Sequence, residues 1–198
     1  MSGSDARALA RSLLDLCRMR KLTIATAESC TGGLIAGALT DIPGSSDVVD
    51  RGFVTYSNEA KRTMLGVEAS TLLTFGAVSK ETATQMAVGA LERAGVDLAV
   101  ATTGIAGPGG AVPGKPVGLV HVAAATRDGR IVHRECRFGG IGRVAVRQRS
   151  VVEALRMLMD LARGPQAKPR PEPVSRLRPR SARTPRRHPA KGRRLPRS

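Results

Sequence analysis

Apolar positions along the first 160 or so residues switch repeatedly between a helical and a strand period, and that switching sets the expected architecture. Leu9, Leu13, Leu14 and Cys17 recur at helical spacing, which predicts an amphipathic helix from Ser4 to Arg20 with Ser4 as its N-cap. Leu22-Thr-Ile-Ala-Thr-Ala27 is short, apolar and β-branched and predicts a buried strand. A helix is expected from Leu34 to about Thr40, a turn over Asp41-Ile-Pro-Gly-Ser-Ser46, and a second strand within Val48 to Tyr56. Ser57 or Asn58 is placed to cap a short helix, and a second short piece is expected near Glu68–Leu73. Ser79 is the natural N-cap of a clearer helix running to about Arg93, with Glu81 in the first turn where the helix dipole favours an acid.

Val96 to Thr103 is almost wholly apolar and predicts a strand central in its sheet. Val117 to Thr126 and Ile131 to Phe138 read as two strands joined by the turn Arg127-Asp-Gly-Arg130. The last helix is expected from Arg143 to about Leu161, with Val144, Val151, Val152, Leu155 and Leu158 on its apolar face. Helices alternating with strands, then a hairpin and a closing helix, predict a three-layer α/β/α domain with a mixed, mostly parallel sheet.

Composition changes this picture in two places. Hydrophobic residues make up 41% of the chain but aromatics only 2%, so Ala, Val, Leu and Gly must fill the core. The net charge of +16 is unevenly spread. Residues 165–198 hold twelve Lys or Arg against one acid, Glu172, and eight of the twelve prolines, so they carry +11 and leave +5 to residues 1–164. Two segments follow: a domain over residues 1–164 and a basic Pro/Arg-rich tail over 165–198, too poor in apolar side chains to order itself. Nonspecific attraction to polyanions is expected of the tail, without base stacking, because it has no aromatics. No run is apolar enough to span a bilayer and no signal pattern opens the chain, so no membrane partner is expected and a cytoplasmic location is. Cys17, Cys30 and Cys136 are too few and too scattered for a disulfide framework or a zinc site. A homo-oligomer is left open.

The candidate chemistry gathers at two glycine-rich loops, each after an apolar strand: Ser29-Cys-Thr-Gly-Gly33 and Gly104-Ile-Ala-Gly-Pro-Gly-Gly110. Loops at the carboxyl ends of strands gather to form ligand sites in open α/β sheets, which suggests a nucleotide pocket, although neither loop is a Walker A or dinucleotide fingerprint. The first turn presents Ser29 as a nucleophile would be presented, and its backbone N–H groups and following helix suit an anion. An ordinary turn capped by Thr31 or Ser29 is the plainer alternative. Cys30, next to Ser29, is a conceivable nucleophile, but neighbours on an extended segment point to opposite faces, so it is expected to be a small buried side chain facing away from Ser29. Histidines are scarce, and His121 and His133 fall within predicted strands, which argues against a Ser-His-Asp triad. Lys61 is the better base, since a buried amine titrates lower and its neutral form accepts a serine proton; a solvated surface lysine is the alternative. Tyr56, the only tyrosine, would relay a proton or hold the lysine, and Glu28 would orient the lysine or cap a helix.

Five blocks in order, Thr26-Ala-Glu-Ser-Cys-Thr-Gly-Gly33, Arg51-Gly-Phe-Val-Thr-Tyr-Ser-Asn-Glu-Ala-Lys61, Gly76-Ala-Val-Ser79, Thr103-Gly-Ile-Ala-Gly-Pro108 and Lys115-Pro-Val-Gly-Leu119, resemble the C-terminal domain of the competence/damage-inducible CinA family over roughly residues 5–162. Standalone members of that family are nicotinamide-nucleotide amidohydrolases. The resemblance implies hydrolysis of nicotinamide mononucleotide to nicotinate mononucleotide and ammonia by a serine–lysine amidase without a metal or cofactor, in pyridine nucleotide recycling. It implies Ser29 as nucleophile, Lys61 as base and Tyr56 as an active-site tyrosine. The expected substrate contacts are Thr31, Gly32 and Gly33 in the first loop, Thr103, Gly104 and Gly107 in the second, and Arg143. The chain departs from the family at Phe138-Gly-Gly-Ile-Gly-Arg143, where members typically carry Phe-x-Gly-Asp-Arg: the acid is absent and the stretch is one residue longer, which leaves the role of Arg143 open. The pyrophosphatase-like N-terminal domain of full-length members is not expected within these residues. The alternative from another class is a non-catalytic nucleotide-binding or regulatory module linked to competence or DNA damage.

Overall fold

A computed structural model describes residues 3–164; the basic tail expected over 165–198 lies outside the described residues. The elements follow in the order α1 (Gly3–Arg20), β1 (Ile24–Glu28), α2 (Leu34–Thr40), a 3₁₀ turn (Ser45–Asp47), β2 (Val49–Val54), α3 (Asn58–Leu65), α4 (Ala69–Phe75), α5 (Lys80–Ala94), β3 (Leu98–Gly104), β4 (Leu119–Thr126), β5 (Ile131–Arg137) and α6 (Arg143–Arg163). The five strands form one sheet in the order β2-β1-β3-β4-β5. β1 pairs in parallel with β2 and β3, whereas β4 is antiparallel to β3 and β5, so only β4 runs against the rest. β3 is central, as its apolar run predicts, and the expected hairpin joins β4 to β5. No helix among the described residues is long and apolar enough to cross a membrane.

The helices cover both faces. On one, α1, α2 and α6 pack over Ile24, Leu98, Val100, Val120, Val122 and Ala124. On the other, α5 lays Ala83, Met86, Ala87 and Ala90 against Ala27, Ala99, Ala101, Ala123 and Ala125, with Leu65 and Val67 beside them. Alanine facing alanine lets helix and sheet approach closely, which is how a core almost without aromatics is filled.

Some expectations shift. α1 begins at Gly3, so Ser4 lies within the helix and is not its N-cap. β1 starts two residues later than expected and takes in Glu28, because the Thr23 N–H and hydroxyl are held by the Asp97 carboxylate outside the ladder. Val144 is exposed, and the buried face of α6 starts instead at Val146. Ser57 is the cap of α3, accepting from Ala60 N–H at 3.0 Å, and Ser79 caps α5 through Thr82 N–H at 3.1 Å.

α3 is held against α5 at a glycine. A Cβ on Gly89 would lie 1.9 Å from the Leu65 carbonyl oxygen. Alanine favours a helix interior over glycine by about 1 kcal/mol, but here that gain is outweighed by a backbone clash. Gly89→Ala is therefore expected to destabilise the fold by about 1–3 kcal/mol, read as a drop in Tm. A Tm at or above wild type would show that the two helices are not in contact there.

Candidate active site

The turn after β1 is organised by a buried acid. Glu28 ends β1 with its side chain on the α2 side of the sheet and is fully buried. Its carboxylate accepts from the N–H groups of Gly33 (2.9 Å), Ile35 (3.0 Å) and Ala36 (2.8 Å), and from the Thr26 hydroxyl (3.2 Å). These are the otherwise unpaired donors of the first turn of α2, so Glu28 does for the helix what a side-chain N-cap does. Gly33 occupies the N-cap position and offers no side chain, which corrects the expectation of Thr31 or Ser29 as cap. It also narrows the anion-binding reading of this loop, because the negative charge at the helix start is the protein's own. Of the two uses expected for Glu28 the structure has the cap; no hydrogen bond joins it to Lys61 among the described residues.

Ser29 follows, its N–H donating to Thr102 at 3.0 Å and its carbonyl accepting from Gly32 N–H at 3.1 Å. Lys61 approaches from α3 in the opposite layer. Its side chain is among the largest fully buried ones in the protein, at 1% exposure, which removes the surface-lysine alternative. Nζ lies 3.1 Å from Ser29 Oγ and 2.9 Å from the Thr55 carbonyl oxygen, with the carbonyls of Tyr56 and Ser57 at 3.4 and 3.5 Å. A neutral amine has two N–H groups for such carbonyls and one lone pair for a hydroxyl proton. Burial pushes the Lys61 pKa below the ordinary lysine value, in the direction a base requires.

Cys30 is buried in the core, as expected, and burial pushes its thiol up to about 11, so it is not a thiolate at neutral pH. His121 and His133 lie on neighbouring strands with Nδ1 and Nε2 3.0 Å apart and rings stacked. Burial lowers both imidazole pKa values, and neither ring bonds to Ser29 or Lys61.

The expected substrate contacts divide. Arg143, at the start of α6, donates to the Gly107 carbonyl (3.1 Å) and to the Tyr56 hydroxyl (3.0 Å). The longer glycine-rich stretch is thus absorbed by turns, Gly139 and Gly142 taking positive φ, and Arg143 joins the second loop to Tyr56. The Tyr56 phenol is 61% exposed and bonded to Arg143; its backbone carbonyl, not its hydroxyl, faces Lys61. Thr31 and Thr103 are buried, with Thr31 Oγ1 2.7 Å from Thr102 Oγ1 and Thr103 donating to the Ala77 carbonyl at 2.6 Å, so both hydroxyls have internal partners. Gly104 serves the sheet: a Cβ there would lie 2.7 Å from the Leu119 carbonyl oxygen. Gly32 and Gly33 have their N–H groups taken by Ser29 and Glu28.

One residue escaped the sequence reading. Arg147 on α6 donates Nε to the Cys30 carbonyl (3.1 Å) and an Nη to the Thr31 carbonyl (2.7 Å). Nothing in the sequence distinguishes it from Arg149 or Arg156 on the same helix. A groove of about 450 Å³ between α1, α2 and α6, with Leu34, Gly37, Val151 and Val152 in its wall, is lined by neither Ser29 nor Lys61. No group of three or more His, Cys, Asp or Glu side chains is placed to hold a metal ion among the described residues.

The sequence matches the CinA C-terminal domain over residues 6–162. It is 53% identical to the nicotinamide-nucleotide amidohydrolase PncC of Enterobacter agglomerans over 132 residues, covering 67% of this chain and 80% of that one. It is 62% identical over 112 residues to a CinA-like protein of Chloroherpeton thalassium, a match that covers 57% of this chain but 27% of that longer protein. The fold superposes with a TM-score of 0.77 on the crystal structure of the competence/damage inducible protein CihA from Agrobacterium tumefaciens, at 59% identity over 79% of this chain and 95% of that one.

Proposed function

The chain belongs to the CinA C-terminal domain family, and from that membership and the contact between Ser29 and Lys61 we propose that it hydrolyses the carboxamide of nicotinamide mononucleotide to nicotinate mononucleotide and ammonia, as a serine–lysine amidase of pyridine nucleotide recycling. One observation carries the mechanism: a buried amine 3.1 Å from a serine hydroxyl at the end of a parallel strand. The likeness to a protein named nicotinamide-nucleotide amidohydrolase supports the substrate.

Ser29 Oγ attacks the carboxamide carbon while its proton passes to Lys61 Nζ. The resulting oxyanion is met by an N–H of the Ser29 turn outside the pairs made to Thr102, Ser29 and Glu28, where loss of one such donor costs about 3–4 kcal/mol. Lys61 returns the proton to the amide nitrogen, the C–N bond breaks, and ammonia leaves an acyl-enzyme. Water then attacks the ester with Lys61 taking its proton, and the carboxylate product and free Ser29 result. Arg143, exposed beside Tyr56 and Gly107, is the cation for the substrate phosphate.

The competing reading is a nucleotide-binding module without turnover, favoured by the competence/damage name of the superposed structure. Ammonia release separates the two: the amidase liberates it from nicotinamide mononucleotide, and the module binds nucleotide and liberates none.

A further inference from the structure

The nucleophile turn is gripped from both layers of the domain. Lys61 reaches Ser29 from α3, on the side of the sheet that α5 covers. Arg147 reaches the next two residues from α6, on the other side. Its Nε and one Nη each take a carbonyl, Cys30 at 3.1 Å and Thr31 at 2.7 Å, while Gly32 N–H takes the carbonyl of Ser29. The carbonyls of Ser29, Cys30 and Thr31 are therefore all engaged.

This fixes where the turn's N–H groups point. In a trans peptide the N–H is antiparallel to the C=O of the same unit. With the Cys30 carbonyl drawn toward α6, the Thr31 N–H points away from α6, toward the layer that carries Lys61. That N–H donates to no backbone carbonyl among the described residues. A full positive charge at the oxygen end of these two peptides also polarises them and strengthens the donors at the other end. Guanidinium suits this task because its planar fork presents two N–H groups at fixed divergence, where an ammonium is a single freely rotating head.

We propose that Arg147 is a positioning residue that locks the Cys30 and Thr31 peptide planes so that the Thr31 N–H faces the carbonyl attacked by Ser29. The inference rests on the serine-amidase reading of the site. It gives Arg147 no contact with substrate, which separates it from Arg143.

The test uses the full chain as wild type, Arg147→Lys and Arg147→Ala, with kcat and KM for ammonia release from nicotinamide mononucleotide, Tm, and the rate at which a small fluorophosphonate labels Ser29. In that labelling Oγ forms a bond to phosphorus, fluoride leaves, and the hydroxyl proton passes to Lys61. The expected result is a kcat lowered roughly 100-fold in Arg147→Ala, with KM within about threefold of wild type, since only transition-state binding is affected. Arg147→Lys falls nearly as far. Added guanidinium ion restores part of the kcat of Arg147→Ala and none of that of Arg147→Lys. Labelling of Ser29 slows in parallel. A raised KM with kcat intact would make Arg147 a phosphate contact and overturn the proposal. So would a kcat loss that follows Tm and is indifferent to guanidinium. Because labelling involves no nicotinamide, a wild type that labels but releases no ammonia sinks the substrate assignment alone. Labelling of Arg147→Ala at the wild-type rate sinks the positioning role alone.

Discussion

Ser29→Ala is expected to reduce amide hydrolysis by roughly 10⁴–10⁶-fold, the range in which removal of a serine nucleophile falls elsewhere, while leaving Tm and nucleotide binding close to wild type. The hydroxyl is not needed to hold the turn. Its backbone is tied by Thr102, Gly32, Glu28 and Arg147, and Oγ itself contacts Lys61. Cys30→Ala, by contrast, should keep most of kcat, because a buried thiol pushed up to about 11 supplies no thiolate near neutral pH. Steady-state kinetics on the two variants decide the matter. Loss of turnover in Cys30→Ala with turnover kept in Ser29→Ala would transfer the nucleophile to the wrong side of the turn and end the account.

The second large effect is at Lys61. A base must be neutral to accept a proton, and burial lowers the Lys61 pKa from the ordinary lysine value of 10.5. The cause is burial. The sign follows directly. With Lys61 as the base, turnover is expected to be absent below its pKa, where it is protonated, and kcat is expected to rise as pH rises through that pKa, on the acid side of 10.5. Lys61→Ala removes the base. Lys61→Arg should be nearly as inactive, because guanidinium keeps its proton throughout this range and is larger than the enclosed amine it replaces. Both should fall by roughly 10³-fold or more in kcat, with the pH limb abolished. Profiles of kcat against pH for the three proteins are the measurement. Robust kcat in Lys61→Arg would reduce Lys61 to a substrate-binding charge.

What could be read from sequence was the part written in local patterns. Apolar runs located the central strands, which are buried on both faces, helical spacing located the long helices, and capping residues located α3 and α5, while the shortage of aromatics pointed to a core filled by small side chains such as the alanines between α5 and the sheet. Boundaries slipped where a side chain intervenes from far away: Asp97 holds Thr23 out of β1 across 74 positions of sequence. The approach of Lys61 to Ser29 joins residues 32 apart through a parallel crossover, so no spacing rule reaches it; the residues alone left a surface lysine as the alternative, and the resemblance of the AESCTGG and YSNEAK blocks implied the pair. Glu28 left a legible trace, an acid closing an otherwise uncharged strand just before a glycine turn and a helix without a capping side chain. Arg147 left none. One polar position on an amphipathic helix looks like any other until the fold brings its guanidinium to the turn after β1.

The central claim is that this site turns over a nucleotide carboxamide with Ser29. Its most direct test is ammonia release from nicotinamide mononucleotide by the purified full chain, without added metal, with nicotinate mononucleotide followed as the second product. The account predicts the two products in equal amounts, turnover many times the enzyme concentration, and no release above background from Ser29→Ala. Wild-type protein that binds the nucleotide yet liberates no ammonia, or release that persists unchanged in Ser29→Ala, would contradict it.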